Sequence, residues 1–186
     1  MRFDCLDVIA PGPLDTPCDE PQALGSAVWL MMHSASHREM PLWGLSVLLL
    51  PAIKHRQFVL ASEQDKPVFF ITWAKFSPDA ERRYLANPPL AMPVDDWNCG
   101  DRIWILDWIA PFGHTRISRS LMARLFPTTC ARSLYHRGET RGLRVMEFHG
   151  IGVTAKEARA WSALNPPLLP AATAATSESL FAETQP

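Results

Sequence analysis

Residues 102–113 run Arg102-Ile103-Trp104-Ile105-Leu106-Asp107-Trp108-Ile109-Ala110-Pro111-Phe112-Gly113. Aromatic and β-branched residues fill the segment, and a proline and a glycine close it, so it reads as a central strand. Asp107 has apolar residues immediately on both sides. A carboxylate in such a strand must be paired, hydrogen-bonded or neutralised, because burying it alone is costly. A structural salt bridge to an arginine meets that need. So does a histidine, which the carboxylate would orient as a general base.

The chain on either side of this strand alternates between the two regular periods. Downstream, 115–126 reads as a helix, 132–137 and 143–149 as strands, and 154–164 as a last helix. Upstream, Pro78–Ala86 is a short helix with Ser77 as its cap and Pro78 at its first position. Segments 57–62 and 67–74 are strand-like and flank the polar turn Glu63-Gln64-Asp65-Lys66, which predicts a hairpin. Segment 42–50 is apolar throughout, and periodicity leaves helix and strand equally open. From Ala23 to Glu39 the apolar residues Leu24, Ala27, Val28, Met31 and Met32 recur at helical spacing, with Pro41 as a stop. The expected fold is α/β, a single mixed twisted sheet with flanking helices.

A chain of 186 residues, 47% hydrophobic and 20% charged, suits one domain with a proper core. No stretch approaches the roughly 18 apolar residues of a membrane-spanning helix. The first twenty residues set Arg2 against Asp4, Asp7, Asp15, Asp19 and Glu20, the wrong charge for a leader peptide. The chain is therefore expected to be cytoplasmic, without a transmembrane segment. Its four cysteines, Cys5, Cys18, Cys99 and Cys130, form no C-x-x-C pair and are expected as free thiols.

The net charge of −1 conceals a polarised distribution, with residues 1–20 at −4, 21–161 at +5 and 162–186 at −2. Both ends are compositionally odd, the first Pro- and Asp-rich, the second a Pro/Ala/Thr/Ser mixture. Segments 1–22 and 162–186 are accordingly expected as flexible extensions of a folded domain at 23–161, with a weakly signalled helix near Ser177–Glu183.

Several residues invite chemical readings. His33 and His37 stand one helical turn apart, but a zinc site needs a third ligand, and Ser34, Ala35 and Ser36 between them supply no carboxylate; no metal is expected. Cys99, in the turn Asn98-Cys99-Gly100, is a conceivable nucleophile without a nearby base. From Gly113 to Arg144 there are seven arginines (Arg116, Arg119, Arg124, Arg132, Arg137, Arg141 and Arg144) and one acid, Glu139. This is either a solvated face or a dock for an acidic protein. No nucleic-acid reader motif accompanies it, so no nucleic-acid partner is expected.

Together these segments resemble a known family. The resemblance is carried by Trp29-Leu30, Ser34 and His37-Arg38, then Leu50-Pro51-Ala52-Ile53, Gln57-Phe58-Val59-Leu60, Pro67-Val68, Trp73-Ala74 and Tyr84-Leu85. It continues through Asp96-Trp97-Asn98-Cys99-Gly100-Asp101-Arg102, Asp107-Trp108-Ile109-Ala110-Pro111-Phe112-Gly113 and Glu147-Phe148-His149-Gly150. The ordered set resembles the toxin-activating lysine acyltransferases, which fatty-acylate RTX protoxins such as haemolysins. Met31-Met32-His33 and Ala35-Ser36 depart from the family's usual residues.

The resemblance implies a GNAT-like acyltransferase fold, an acyl chain carried as a thioester on acyl carrier protein, and an internal lysine of an RTX protoxin as acceptor. It maps the catalytic pair onto His37 and Asp107, with Ser34 and Tyr84 as supporting residues. No cofactor is expected beyond the acyl-acyl carrier protein co-substrate, because a thioester is already activated. Acyl carrier protein is acidic, so Arg116, Arg119, Arg124 and Arg132 become its expected dock. Met31, Met32, Leu42, Trp43 and Trp108 are expected to line an acyl groove. Two other readings stay open: a GNAT-like enzyme using acyl-coenzyme A, disfavoured because no Gly-rich pyrophosphate loop is present, and a non-catalytic toxin-binding chaperone. Homodimerisation is left open as well.

Overall fold

A computed structural model describes residues 1–134 and 144–169. Among these the strands are β1 (Arg2–Phe3), β2 (Leu6–Ile9), β3 (Phe58–Glu63), β4 (Lys66–Phe76), β5 (Arg102–Ile109), β6 (Cys130–Leu134) and β7 (Val145–His149). The helices are α1 (Pro11–Leu14), α2 (Glu20–Met32), α3 (Gly44–Leu48), α4 (Leu50–Lys54), α5 (Pro78–Ala86), α6 (Thr115–Leu125) and α7 (Ala155–Leu164). The strands form one mixed sheet in sequence order. Neighbours are antiparallel except β5 and β6, which α6 joins in parallel, as a helical crossover requires. The expected α/β architecture is observed.

The sheet separates two packed layers. Leu6, Val8, Val59, Phe69, Ile71, Trp73 and Ile105 meet Leu121 and Met122 of α6 on one face. On the other face, Phe58, Phe70 and Ile109 pack against Ala23, Ala27, Leu30 and Met31 of α2, while Phe76, Trp104 and Leu106 pack against Ala80 and Tyr84 of α5. The apolar stripe that predicts α2 is thus its buried stripe.

Local chemistry sets most boundaries. Ser77 accepts the Ala80 N–H at 3.2 Å and starts α5 where expected. Thr154 and Glu157 form a capping box on α7. Gly113, at φ +85°, takes the left-handed turn between β5 and α6. Segment 42–50 resolves as helical, in α3 and the start of α4.

Three expectations need correction. Residues 1–22 are not an extension. Leu6 and Val8 are buried, and β2 pairs with β3 through Asp7–Ser62, Val8–Ala61 and Ile9–Leu60. A four-residue in–out alternation supplies this strand, and averaging it with the surrounding prolines and aspartates hid it. The beginning of 162–186 is likewise structured: Leu164 ends α7, and the Asn165 and Pro166 carbonyls accept from Arg132 and Arg102. The helix expected near Ser177–Glu183 lies outside the described residues.

The opening helix stops at Met32 rather than continuing to Glu39. The apolar period ends there, and Ser34 begins a series of tight turns in which the His37 and Arg38 N–H groups both donate to the Ser34 carbonyl at 3.0 Å. Serine side chains that bond locally compete with helix continuation.

One irregularity in β5 positions the site. Ile105 pairs with Trp73 but Asp107 pairs with Thr72, leaving Leu106 as an extra residue. Strict alternation from Trp104 would turn Asp107 toward α6. The bulge instead brings it to the same face as Trp104 and Leu106, and re-aiming a side chain is a common role of bulges.

Candidate active site

His37 lies in the turn after α2, and its ring reaches the bulged strand. Its Nε2 is 3.3 Å from Asp107 Oδ1, and its Nδ1 is 2.7 Å from Ser34 Oγ. The His37 and Asp107 side chains are 13% and 14% exposed, so the pair is largely shielded but reachable. With the Nε2 proton donated to Asp107, Nδ1 carries the lone pair and accepts from the Ser34 hydroxyl. The imidazole is then oriented from both sides, with its basic nitrogen toward Ser34.

His37, Asp107, Ser34 and Tyr84 all line one cavity of about 880 Å³. Tyr84 projects from α5, with its ring 5.1 Å from Phe76 and 5.5 Å from Trp104. Burial, and secondly the Asp107 carboxylate, push the Tyr84 hydroxyl far above its ordinary pKa. It therefore faces the site as a neutral phenol able to donate.

The remaining candidates divide. His33 parts from His37 because the helix ends between them; its Nδ1 meets the Trp29 carbonyl at 2.8 Å and its ring packs on Trp29 and Phe112. Among the described residues no cluster of three metal-ligating side chains occurs. Cys99 sits away from the cavity, contacting Ser77 and the Asp96 carbonyl. All four cysteines are free thiols. Of the five residues expected to line an acyl groove, Trp108 alone lines the cavity. Met31 is buried on the sheet-facing side of α2, and Met32, Leu42 and Trp43 are exposed elsewhere.

The arginines also separate. Arg116, Arg119 and Arg124 are exposed on α6. Arg132 is not available for docking: it is 1% exposed, ion-paired with Glu147 and stacked 4.3 Å from the Trp161 ring centroid. Strand alternation turns Arg132 inward, where α7 covers it. Arg137 and Arg141 lie outside the described residues.

Thr72 escaped sequence reading. It faces Asp107 across the β4–β5 register, is fully buried, and its hydroxyl has no partner among the described residues. The signal was a lone hydroxyl in the apolar run Phe69-Phe70-Ile71-Thr72-Trp73-Ala74.

Comparison with known proteins bears on this arrangement. The family model for the RTX toxin acyltransferase family (HlyC) matches residues 16–149. The protein-lysine palmitoyltransferase CyaC of Bordetella bronchiseptica is 39% identical over 146 residues, covering 77% of this chain and 78% of the relative. The leukotoxin-activating lysine-acyltransferase LtxC of Aggregatibacter actinomycetemcomitans is 38% identical over 130 residues, 69% of this chain and 76% of the relative. The protein-lysine myristoyltransferase HlyC of Escherichia coli is 37% identical over 129 residues, 69% of this chain and 75% of the relative. The matched span runs from the start of α2 through β7 and contains the His37–Asp107 contact and the cavity it borders: the chain belongs to the RTX toxin acyltransferase family.

Proposed function

We propose that this protein transfers a fatty acyl chain from acyl carrier protein to the ε-amino group of lysines in an RTX protoxin, in the cytoplasm, on a GNAT-like scaffold. The observation that carries the reading is the Ser34–His37–Asp107 chain of contacts beside the 880 Å³ cavity. The single parallel pair β5–β6 in an otherwise antiparallel sheet supports the scaffold assignment. Among the described residues no helix is long and apolar enough to cross a membrane.

The chemistry explains why such a group is needed. A lysine amine has a reference pKa of about 10.4, so well under one amine in a thousand is free at neutral pH. His37 removes a proton from the attacking nitrogen, directly or through the Ser34 hydroxyl, while Asp107 orients the ring and stabilises the imidazolium. The carbon–nitrogen bond forms and the carbon–sulfur bond breaks; of the two protons the ammonium nitrogen loses, one passes to solvent as the free amine forms, and the other, gathered by His37, goes to the departing thiolate. Tyr84 is a candidate donor to the oxyanion. Co-expression with an RTX protoxin, followed by intact-mass analysis, tests the function: added acyl groups on lysine support it, and an unmodified protoxin in the presence of acyl carrier protein overturns it.

Ser34→Ala distinguishes direct transfer from an acyl-enzyme. Loss of one hydrogen bond to the base lowers the rate roughly 3- to 10-fold, and enzyme incubated with the acyl donor alone shows no ester by mass spectrometry. A thousandfold loss together with a trapped ester on Ser34 would instead make it the nucleophile.

Docking of acyl carrier protein falls to the exposed face of α6. Arg119→Glu with Arg124→Glu is expected to raise KM for acyl-acyl carrier protein about tenfold or more at low salt, with the difference shrinking as salt screens the contact. Unchanged KM at both low and high salt would refute the dock.

A further inference from the structure

Among the described residues β5 and β6 pair only briefly. They share only the pairs Trp104–Arg132 and Ile105–Ser133, so Leu106 to Ile109 have no β6 partner among the described residues. The site cavity borders this stretch of β5: Tyr84 and His37 line it on one face of the sheet, while Ser133 and Met146 line it toward α6. Trp108 and Phe148 stand there with ring centroids 5.7 Å apart. Trp108 is held by its indole N–H, which donates to Ser118 Oγ at 2.9 Å.

Both rings also line a second cavity of about 320 Å³, between α6 and β5–β7. Its walls include Trp73, Ile103, Met122, Phe126 and Ala131. The cavity is open to solvent beside the exposed Arg119, Glu147 and Ile151, and an apolar pocket takes an apolar occupant. Here a mostly apolar cavity adjoins, across two rings, a site that handles a hydrocarbon chain.

We propose that this second cavity receives the distal end of the acyl chain, entering past Trp108 and Phe148, and that its depth sets the chain length transferred. This rests on the acyl transfer proposed above. A methylene occupies about the volume of one water in the liquid, roughly 30 Å³, so the cavity holds on the order of ten carbons. The carbons nearest the thioester remain in the site cavity, beside His37 and Ser34. The occupant is thus the tail of a long-chain acyl group. An acetyl group or other short acid would leave the cavity empty.

The test measures transfer from octanoyl-, dodecanoyl- and palmitoyl-acyl carrier protein to a lysine peptide. Ala131→Phe and Ala123→Leu place bulk in the cavity without touching His37, Asp107, Ser34 or Tyr84. Each methylene left outside an apolar site loses about fourfold, so excluding three or four carbons lowers the palmitoyl-to-octanoyl ratio of kcat/KM by roughly 10²-fold, with octanoyl transfer within about twofold of the parent. Ile103→Ala, which deepens the cavity, shifts preference the other way. An unchanged ratio in folded variants, or equal slowing at every length, overturns the proposal. Should the filling variants fail to fold, a palmitoyl chain with a terminal diazirine settles the matter on the unaltered protein: cross-links to Met122 or Phe126 support the cavity, and cross-links confined to residues around His37 overturn it. A parent enzyme that acylates no lysine from any of these donors would fail the parent function, a result distinct from an unchanged length profile in an active enzyme.

Discussion

His37→Ala is expected to lower lysine acylation by about 10²–10⁴-fold, the usual contribution of a positioned general base. The side chain is held at both ring nitrogens, by Ser34 at 2.7 Å and Asp107 at 3.3 Å, and it borders the large cavity. Its removal therefore takes away an oriented base while α2 and the sheet keep their packing, since His37 belongs to no regular element. Asp107→Asn is the more discriminating variant. An amide in that place can donate to Nε2, which moves the ring proton to Nδ1 and leaves no basic nitrogen toward Ser34. Its loss should approach that of His37→Ala, and the double variant should be little worse than either, because groups acting as one unit are not additive. Single-turnover acylation of a lysine peptide, with thermal melting as a control for folding, measures all three. A folded His37→Ala protein that keeps more than about a tenth of the parent rate would remove the base from the mechanism.

Local rules carried the element order because most boundaries here are local. Ser77 caps α5, Thr154 caps α7, and a proline and a glycine follow β5, so each is legible in a few neighbouring residues. The failures involve information that is not local. β2 has four residues and gains its meaning from pairing with β3, some fifty positions on. Arg132 reads as one more surface arginine until Glu147 and Trp161 close over it from β7 and α7.

The candidate site shows the same division. Asp107 was conspicuous, since an apolar strand that carries a carboxylate must answer for it. Its partner was not derivable from spacing: seventy residues separate it from His37, and the bulge at Leu106 decides which face the carboxylate takes. The family resemblance joined the two residues before the geometry did. Of the five residues expected to line an acyl groove, Trp108 borders the site cavity, while Met31 packs in the core beneath the sheet-facing side of α2 and Met32, Leu42 and Trp43 are exposed, because hydrophobicity alone does not tell a lining residue from a core or surface one.

Glu81→Ala is expected to cost about 3–5 kcal/mol of stability, the usual result of stranding one partner of a buried ion pair. Glu81 precedes Arg82 and Arg83 on α5. In the structure it is fully buried, ion-paired with Arg102 and accepting from the Trp104 indole N–H at 2.9 Å. Truncation leaves a guanidinium that is 15% exposed without its counter-charge and an indole donor without its acceptor. For a domain of this size the melting temperature should fall roughly 6–20 °C, at about 2–4 °C per kcal/mol. The two control variants separate charge from packing. Glu81→Gln keeps an acceptor for Trp104 but not the charge, and should fall between parent and alanine. Glu81→Leu combined with Arg102→Met removes both charges and refills the space, and should lose less than Glu81→Ala alone, because no charge is stranded. The pair clamps α5 to β5, the elements that carry Tyr84 and Asp107. Acylation by Glu81→Ala, assayed well below its melting point, should therefore fall far less than in His37→Ala. A Glu81→Ala protein melting within about 2 °C of the parent would mean that water or another acceptor satisfies Arg102, and that the clamp is not what joins the two halves of the site.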